Sequence, residues 1–264
     1  MCGQHIHGNK TRVITTGFHA VLFCALPVAA LASTAAAGDG FRPIFDGKTL
    51  QGWTGEAGYW RVEDGHIVGE WTEGNQPKEN TFLIWEGGQP ADFEVRFRFK
   101  FDSPRGNSGI QIRSERLHGH VVRGYQPDIA TDGWITGVAY EERGRAQLAR
   151  RGQRTVIDKD GNRKTERFAD EDELGKLFDP HQWTEYHVIA VGNRISIKIN
   201  GHLMSEIVDD APEARRRGVL AFQLHRGTPM KLRFADVELK LHGNPATARV
   251  SGRDGGATDR RGFE

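Results

Sequence analysis

The stretch FEVRFRFKF places Phe93, Val95, Phe97, Phe99 and Phe101 on one side of an extended chain, with Glu94, Arg96, Arg98 and Lys100 on the other. Side chains of a strand point alternately to opposite faces, so this segment has one apolar face that a second layer must cover. The same period recurs in RISIKIN, where Ile195, Ile197 and Ile199 align before the turn Asn200-Gly201 leads into HLMSEIV. KLRFADVELKLH repeats it with a change of phase at Ala235-Asp236, as a bulge produces. GYWRVEDGHIVGE, NTFLIWE, NSGIQIRS, TEYHVIAVGN and GVLAFQLH add short strands between glycine-rich turns. Only DEDELGKLF (Asp170 to Phe178) and APEARRR (Ala211 to Arg217) read as helical. The prediction is an all-β fold, a sandwich or jelly roll of antiparallel strands with one or two short helices.

The first 37 residues stand apart. They contain no acid, the bases Lys10 and Arg12, and the apolar run AVLFCALPVAALA, which ends in small residues. That order is the one expected of a signal peptide over 1–37, and the run is too short to span a bilayer. The expected destination is the periplasm or the cell exterior, with no membrane span in the mature chain. Both cysteines, Cys2 and Cys24, fall in the leader, so the remainder has no disulfide or thiolate chemistry. Removing the leader leaves 34 bases against 35 acids, a balance that argues against nucleic acid as a partner. Residues 38–242 read as one domain, and 243–264, lacking apolar periodicity, as a disordered tail. Within the domain, TVIDKDGNRKTERF reads as an exposed hairpin turning at Asp160-Gly161 and not as a calcium loop.

Three strands depart from the apolar-in, charged-out rule in the same manner. In GVLAFQLH, Leu220, Phe222 and Leu224 oppose Gln223 and His225; in NSGIQIRS, Ile110 and Ile112 oppose Gln111 and Arg113. In GYQPDI, Tyr125 and Ile129 oppose Gln126 and Asp128. Side by side, the polar pairs would form a floor rich in amides, unlike the lysine-rich solvated face of an ordinary sheet. In YEERGR, Tyr140 and Glu142 share one face while Glu141 and Arg143 share the other. Trp60 and Trp134, near turns, are candidate platforms for a sugar ring.

FDGKTLQGW, GYWRVEDGHIVGE, GNSGIQIRS, GYQPDI, YEERGR, INGHLMSEIVDD and GVLAFQLHRGTPMKLRFADVELK, in this order, resemble the 3-keto-disaccharide hydrolase family over about residues 41–241. The resemblance implies a concanavalin-like β-sandwich acting on a small oxidised saccharide with a ketone at C3. It also implies cleavage by elimination followed by hydration, and a divalent metal in some members. A sugar 3-dehydrogenase acting upstream is the partner such a substrate suggests.

A C3 ketone acidifies the C2 proton, so the reaction needs a base at C2, a hydrogen-bond donor or cation at the C3 oxygen, and an acid at the leaving oxygen. The expected catalytic residues are His225, as base or proton shuttle, with Glu142 and Asp128. Asp128 and Glu142 are also the expected ligands of Ca²⁺, Mg²⁺ or Mn²⁺, with no organic cofactor. Gln111, Arg113, Gln126, Tyr140, Arg143, Gln223, Lys231, Trp60 and Trp134 are the expected substrate-binding residues. The alternatives are a noncatalytic carbohydrate-binding module of the same sandwich class, or a domain that assists a partner enzyme. All of these readings need Gln111/Arg113, Gln126/Asp128 and Gln223/His225 to converge in one hollow.

Overall fold

The computed structural model describes residues 39–243, so the signal peptide expected over 1–37 lies outside it, as does all but the first residue of the expected tail. Two sheets face each other across the core. The larger has ten strands, ordered Arg163–Arg167, Gln153–Ile157, His202–Asp209, Arg194–Ile199, Thr184–Val191, Phe93–Phe101, Met230–Leu241, His66–Trp71 and Trp60–Glu63, with Arg42–Pro43 added beside Met230–Leu241. The smaller has seven, ordered Ala146–Ala149, Ala139–Glu142, Val121–Ala130, Asn107–His118, Val219–Leu224, Thr81–Trp85 and Trp53–Thr54. Every pairing is antiparallel except that of Gln153–Ile157 with His202–Asp209.

Period two sets the layers. Phe93, Val95, Phe97, Phe99 and Phe101 are buried, whereas Arg96 and Arg98 face outward and pair with Glu238 and Asp236. From the smaller sheet, Ile110, Ile112, Tyr125, Ile129, Leu220, Phe222 and Leu224 enter the same core. The Phe222 ring stacks on Phe234 of the larger sheet, with centroids 3.9 Å apart, and on Trp53 at 5.6 Å. Truncating Phe222 to alanine would open a cavity between the layers at a cost of about 3–5 kcal/mol.

The turn at Asn200-Gly201 has both residues at positive φ, the requirement of a tight hairpin matched to strand twist. Register slips between Ala235 and Glu238, with Asp236 at φ 50°, which is the bulge the phase change predicted. The hairpin Gln153–Ile157/Arg163–Arg167 forms as expected, and Glu171–Gly175 is helical, capped by the Asp170 carboxylate. Residues 211–217, in contrast, are not a helix. They make one turn closed by Ala214 N–H to the Ala211 carbonyl, and the chain then enters the strand Val219–Leu224. Among the described residues, no helix is long and apolar enough to cross a membrane.

Candidate active site

The outward face of the smaller sheet bears a cleft of about 330 Å³. Its floor and walls come from five adjacent strands and the segments that follow them, with Gln126 and Asp128 on Val121–Ala130 at the centre. Tyr140 and Glu142 stand on the neighbouring strand Ala139–Glu142, where Tyr140 is in register with Gln126. Gln223 is the penultimate residue of the strand Val219–Leu224, with His225 just beyond its end, and Asn107 opens the strand Asn107–His118.

Glutamines brace the floor. Gln126 Oε1 accepts from Gln111 Nε2 at 2.5 Å and from Gln223 Nε2 at 2.9 Å, while Ser114 Oγ donates to Gln111 Oε1 at 2.6 Å. With its oxygen so occupied, the Gln126 amide must turn its NH₂ toward Asp128, and Nε2 donates to Oδ1 at 2.7 Å. Buried amides are tolerated because each finds partners, and only a side chain with both donor and acceptor serves at position 126. Gly109 makes room for it: a Cβ there would come within 2.7 Å of Gln126 Cγ.

Asp128 is 8% exposed. Burial, reinforced by the nearby charge of Glu142 and only partly offset by the Gln126 hydrogen bond, lifts its pKa to about 8. Glu142 is also raised, mainly by burial, against the opposing effects of Asn80 and Arg143. Asn80 Nδ2 donates to Glu142 Oε1 at 3.1 Å, and Asn80 Oδ1 accepts from Arg226 N–H at 3.2 Å, so one amide ties Glu142 to the segment carrying His225. Burial and then the charge of Arg226 lower the pKa of His225, which keeps the ring neutral at pH 7. Gly227 N–H donates to His225 Nδ1 at 3.0 Å, which assigns the ring proton to Nε2. The neutral ring therefore carries an N–H at Nε2, where the role of base would need a lone pair.

A larger hollow, of about 550 Å³, lies on the outer face of the other sheet. Its arginines are already paired, Arg96 with Glu238 and Asp39, and Arg98 with Asp236. The smaller cleft holds the carboxyl groups with raised pKa values, and is the candidate site.

The sequence matches the model of a family described as the 3-keto-alpha-glucoside-1,2-lyase-like domain over residues 40–240. The chain belongs to that family. No curated protein matches the sequence. Among solved structures, this lyase-like domain is similar to a putative glycosyl hydrolase from Parabacteroides distasonis, at 16% identity and a TM-score of 0.51, over 77% of this chain and 94% of that one. It is also similar to a Bacillus subtilis protein of unknown function with a galectin-like fold, at 13% identity and a TM-score of 0.52, over 73% and 90% of the two chains. Identities this low establish the shared sandwich fold alone.

Of the residues expected in the site, the lyase-like domain brings Gln126, Asp128, Tyr140, Glu142, Gln223, His225 and Trp134 to the cleft, and sets Gln111 directly beneath Gln126. Trp134, 51% exposed, stands at the rim with the Arg150 guanidinium 5.8 Å from its ring centroid. Arg113 does not reach the cleft. Register slips on both sides of its strand and Arg113 takes φ 48°, so its side chain is 1% exposed and donates to the carbonyls of Ala91 and Gly192 and to Asp92. It closes one end of the sandwich. Arg143, at φ 54°, turns outward to Glu79 at 2.6 Å. Lys231 follows the chain's passage to the larger sheet and pairs there with Glu63 at 3.1 Å. Trp60 lies on the edge strand of that sheet with its ring against Gly55 and Gly69, where it is packing rather than a sugar platform.

Asn80, Asn107 and Gln147 were missed. Asn107 shares the parity of Gly109 and Gln111, so alternation held the signal. Asn80 had none, because it reaches Glu142 across 62 residues of sequence.

For the expected divalent cation the cleft offers two carboxyl groups, Asp128 and Glu142, which is less than a full set of protein ligands. Among the described residues no three His, Cys, Asp or Glu side chains gather to hold an ion. His225 carries its proton on the nitrogen that would have to ligate.

Proposed function

We propose that this domain cleaves the glycosidic bond of 3-keto-glycosides or 3-keto-disaccharides by β-elimination, with water added afterwards. The observation that carries the reading is the meeting of Asp128, Glu142, Tyr140 and His225 in one cleft over a floor of mutually hydrogen-bonded glutamines. Family membership supports it.

The Glu142 carboxylate takes the proton from C2. The electron pair left on C2 delocalises into the C3 carbonyl, and His225 Nε2–H stabilises the resulting oxyanion as a neutral donor. Asp128, still protonated at neutral pH because its pKa is about 8, gives its proton to the leaving oxygen. The C1–O bond breaks, C1 and C2 become doubly bonded and the C3 ketone is restored. Water then adds across the new double bond. Trp134 and Tyr140 offer rings to the apolar face of the sugar, and Asn107 offers hydrogen bonds to its hydroxyls, while Gln223, fully buried, braces the floor beneath.

Elimination requires the ketone beforehand, so an oxidation at C3 by a sugar 3-dehydrogenase precedes this step. The apolar leader supports action in the periplasm or outside the cell. The test is to supply a 3-keto-glucoside in D₂O and follow both aglycone release and early deuterium incorporation at C2. The expected result is release with deuterium at C2, abolished in Glu142→Gln. Release that leaves the C2 proton in place points to direct hydrolysis at C1, and binding without release points to a carbohydrate-binding module.

A further inference from the structure

The turn that follows Glu142 is held in an unfavourable shape. Within Arg143–Ala146, two non-glycine residues have positive φ, Arg143 at 54° and Ala146 at 62°. L-residues adopt that region only where their surroundings impose it. Here the surroundings are a buried ion cluster on the reverse side of the strand. Glu141, pointing away from the cleft and 4% exposed, accepts from Arg145 Nε at 2.5 Å and from Arg145 N–H at 3.1 Å. The rest of the Arg145 guanidinium forks onto Asp209, Nη1 to Oδ1 at 3.1 Å and Nη2 to Oδ2 at 2.6 Å. Tyr125 O–H donates to the same Oδ2 at 2.5 Å. Gly144 is required beside this cluster, since a Cβ there would lie 2.6 Å from the Glu141 carboxyl carbon.

Asp209 is fully buried and ends the strand His202–Asp209 of the larger sheet. The cluster therefore crosses the sandwich. A bidentate guanidinium–carboxylate pair fixes both distance and plane, which a single hydrogen bond cannot do. Glu142 ends its strand, in register with Gly124, and lies between Glu141 and the constrained turn, so its backbone has little freedom to rotate. Its side chain accepts one hydrogen bond among the described residues, from Asn80 at 3.1 Å.

We propose that Asp209 and Glu141, acting through Arg145, are positioning residues that hold Glu142 in its place in the cleft; this rests on the reaction proposed above. None of the three lines the cleft, and their effect on catalysis runs through the turn. The sandwich thus uses its larger sheet, on the far side of the core, to aim a group on the smaller one.

The test compares full-length wild type with Asp209→Asn, which removes the charge from the fork, and Tyr125→Phe, which removes a single hydrogen bond and leaves the ring in the core. Turnover of a 3-keto-glucoside is measured per folded molecule, with peptide-level hydrogen exchange over residues 139–147. The expected result is faster exchange in that peptide and a kcat lower by about tenfold to a hundredfold in Asp209→Asn, the range a small misplacement of a reacting group produces. KM stays within about twofold, and Tyr125→Phe falls between the variant and wild type. A kcat per folded molecule equal to wild type overturns the proposal, as does exchange that does not change. If Asp209→Asn does not fold, Tyr125→Phe decides by the same two measurements. Wild-type protein without turnover overturns the reaction itself, an outcome separate from any difference between variants.

Discussion

Gln126 Nε2 donates to Asp128 Oδ1 at 2.7 Å, and this is the only hydrogen bond to the Asp128 carboxyl group among the described residues. One such bond is too little to hold a buried carboxylate in its charged form against desolvation, so the group keeps its proton to about pH 8. The amide that ought to favour the anion instead orients an acid.

Asp128→Asn is expected to reduce turnover by a factor on the order of 10² to 10⁴, the range for loss of a general acid. A substrate carrying a good leaving group, such as a nitrophenolate, needs less protonation and is expected to recover much of the rate. Comparing the two substrates in the same variant checks the assignment; equal losses on both would remove Asp128 from the leaving-group role.

The rate is expected to fall as pH rises through about 8, where Asp128 loses its proton. On the acid side it falls as Glu142 is protonated, above the ordinary carboxylate range because burial raises its pKa. A pH profile of kcat/KM in wild type and Asp128→Asn measures both limbs, and the alkaline limb is expected to disappear in the variant.

Stability carries the same signature. The unfolded chain ionises Asp128 near 3.8, whereas the folded chain holds the proton to about 8, so between these values the folded state binds more protons. Folding stability attributable to this group therefore declines as pH rises through that window and levels off above it, by an amount on the order of a few kcal/mol. Asp128→Asn is expected to melt at a higher temperature than wild type at pH 9, with a smaller difference at pH 4. A wild type that is the more stable of the two at pH 9 contradicts the raised pKa.

Arg113→Met is expected to destabilise the fold by about 3 kcal/mol, since it strips the side-chain donor from two backbone carbonyls and one of two donors from Asp92. The molecules that do fold are expected to keep the wild-type kcat. Urea denaturation together with activity per folded molecule separates the two effects, and a lost kcat in folded protein would return Arg113 to the site.

Treatment with chelator followed by desalting is expected to leave turnover unchanged, because the cleft supplies two carboxyl groups and a histidine protonated at Nε2 in place of a full ligand set. A rate lost to chelator and restored by one divalent ion would show that substrate or solvent oxygens complete a cation site.

Alternation by itself determined the two-layer β fold and the side of each strand that faces the cleft. It paired Gln126 with Asp128, Gln223 with His225 and Tyr140 with Glu142, because side-chain direction along a strand is a local property of the backbone. It could not see where that rule is suspended. The bulge at Arg113 arises from the slipped register with the strand Val219–Leu224, and such a slip is a property of two strands rather than one. Lys231 shares the parity of Gln223 and His225 but belongs to the other sheet, because the chain crosses the sandwich between Leu224 and Met230. The proton on His225 Nε2, the Asn80 tether and the Arg145–Asp209 fork likewise depend on partners that only packing brings together. Which faces carry polar groups is written in single strands; which of those groups meet, and in what protonation state, follows from how the sheets pair and how deeply they bury them.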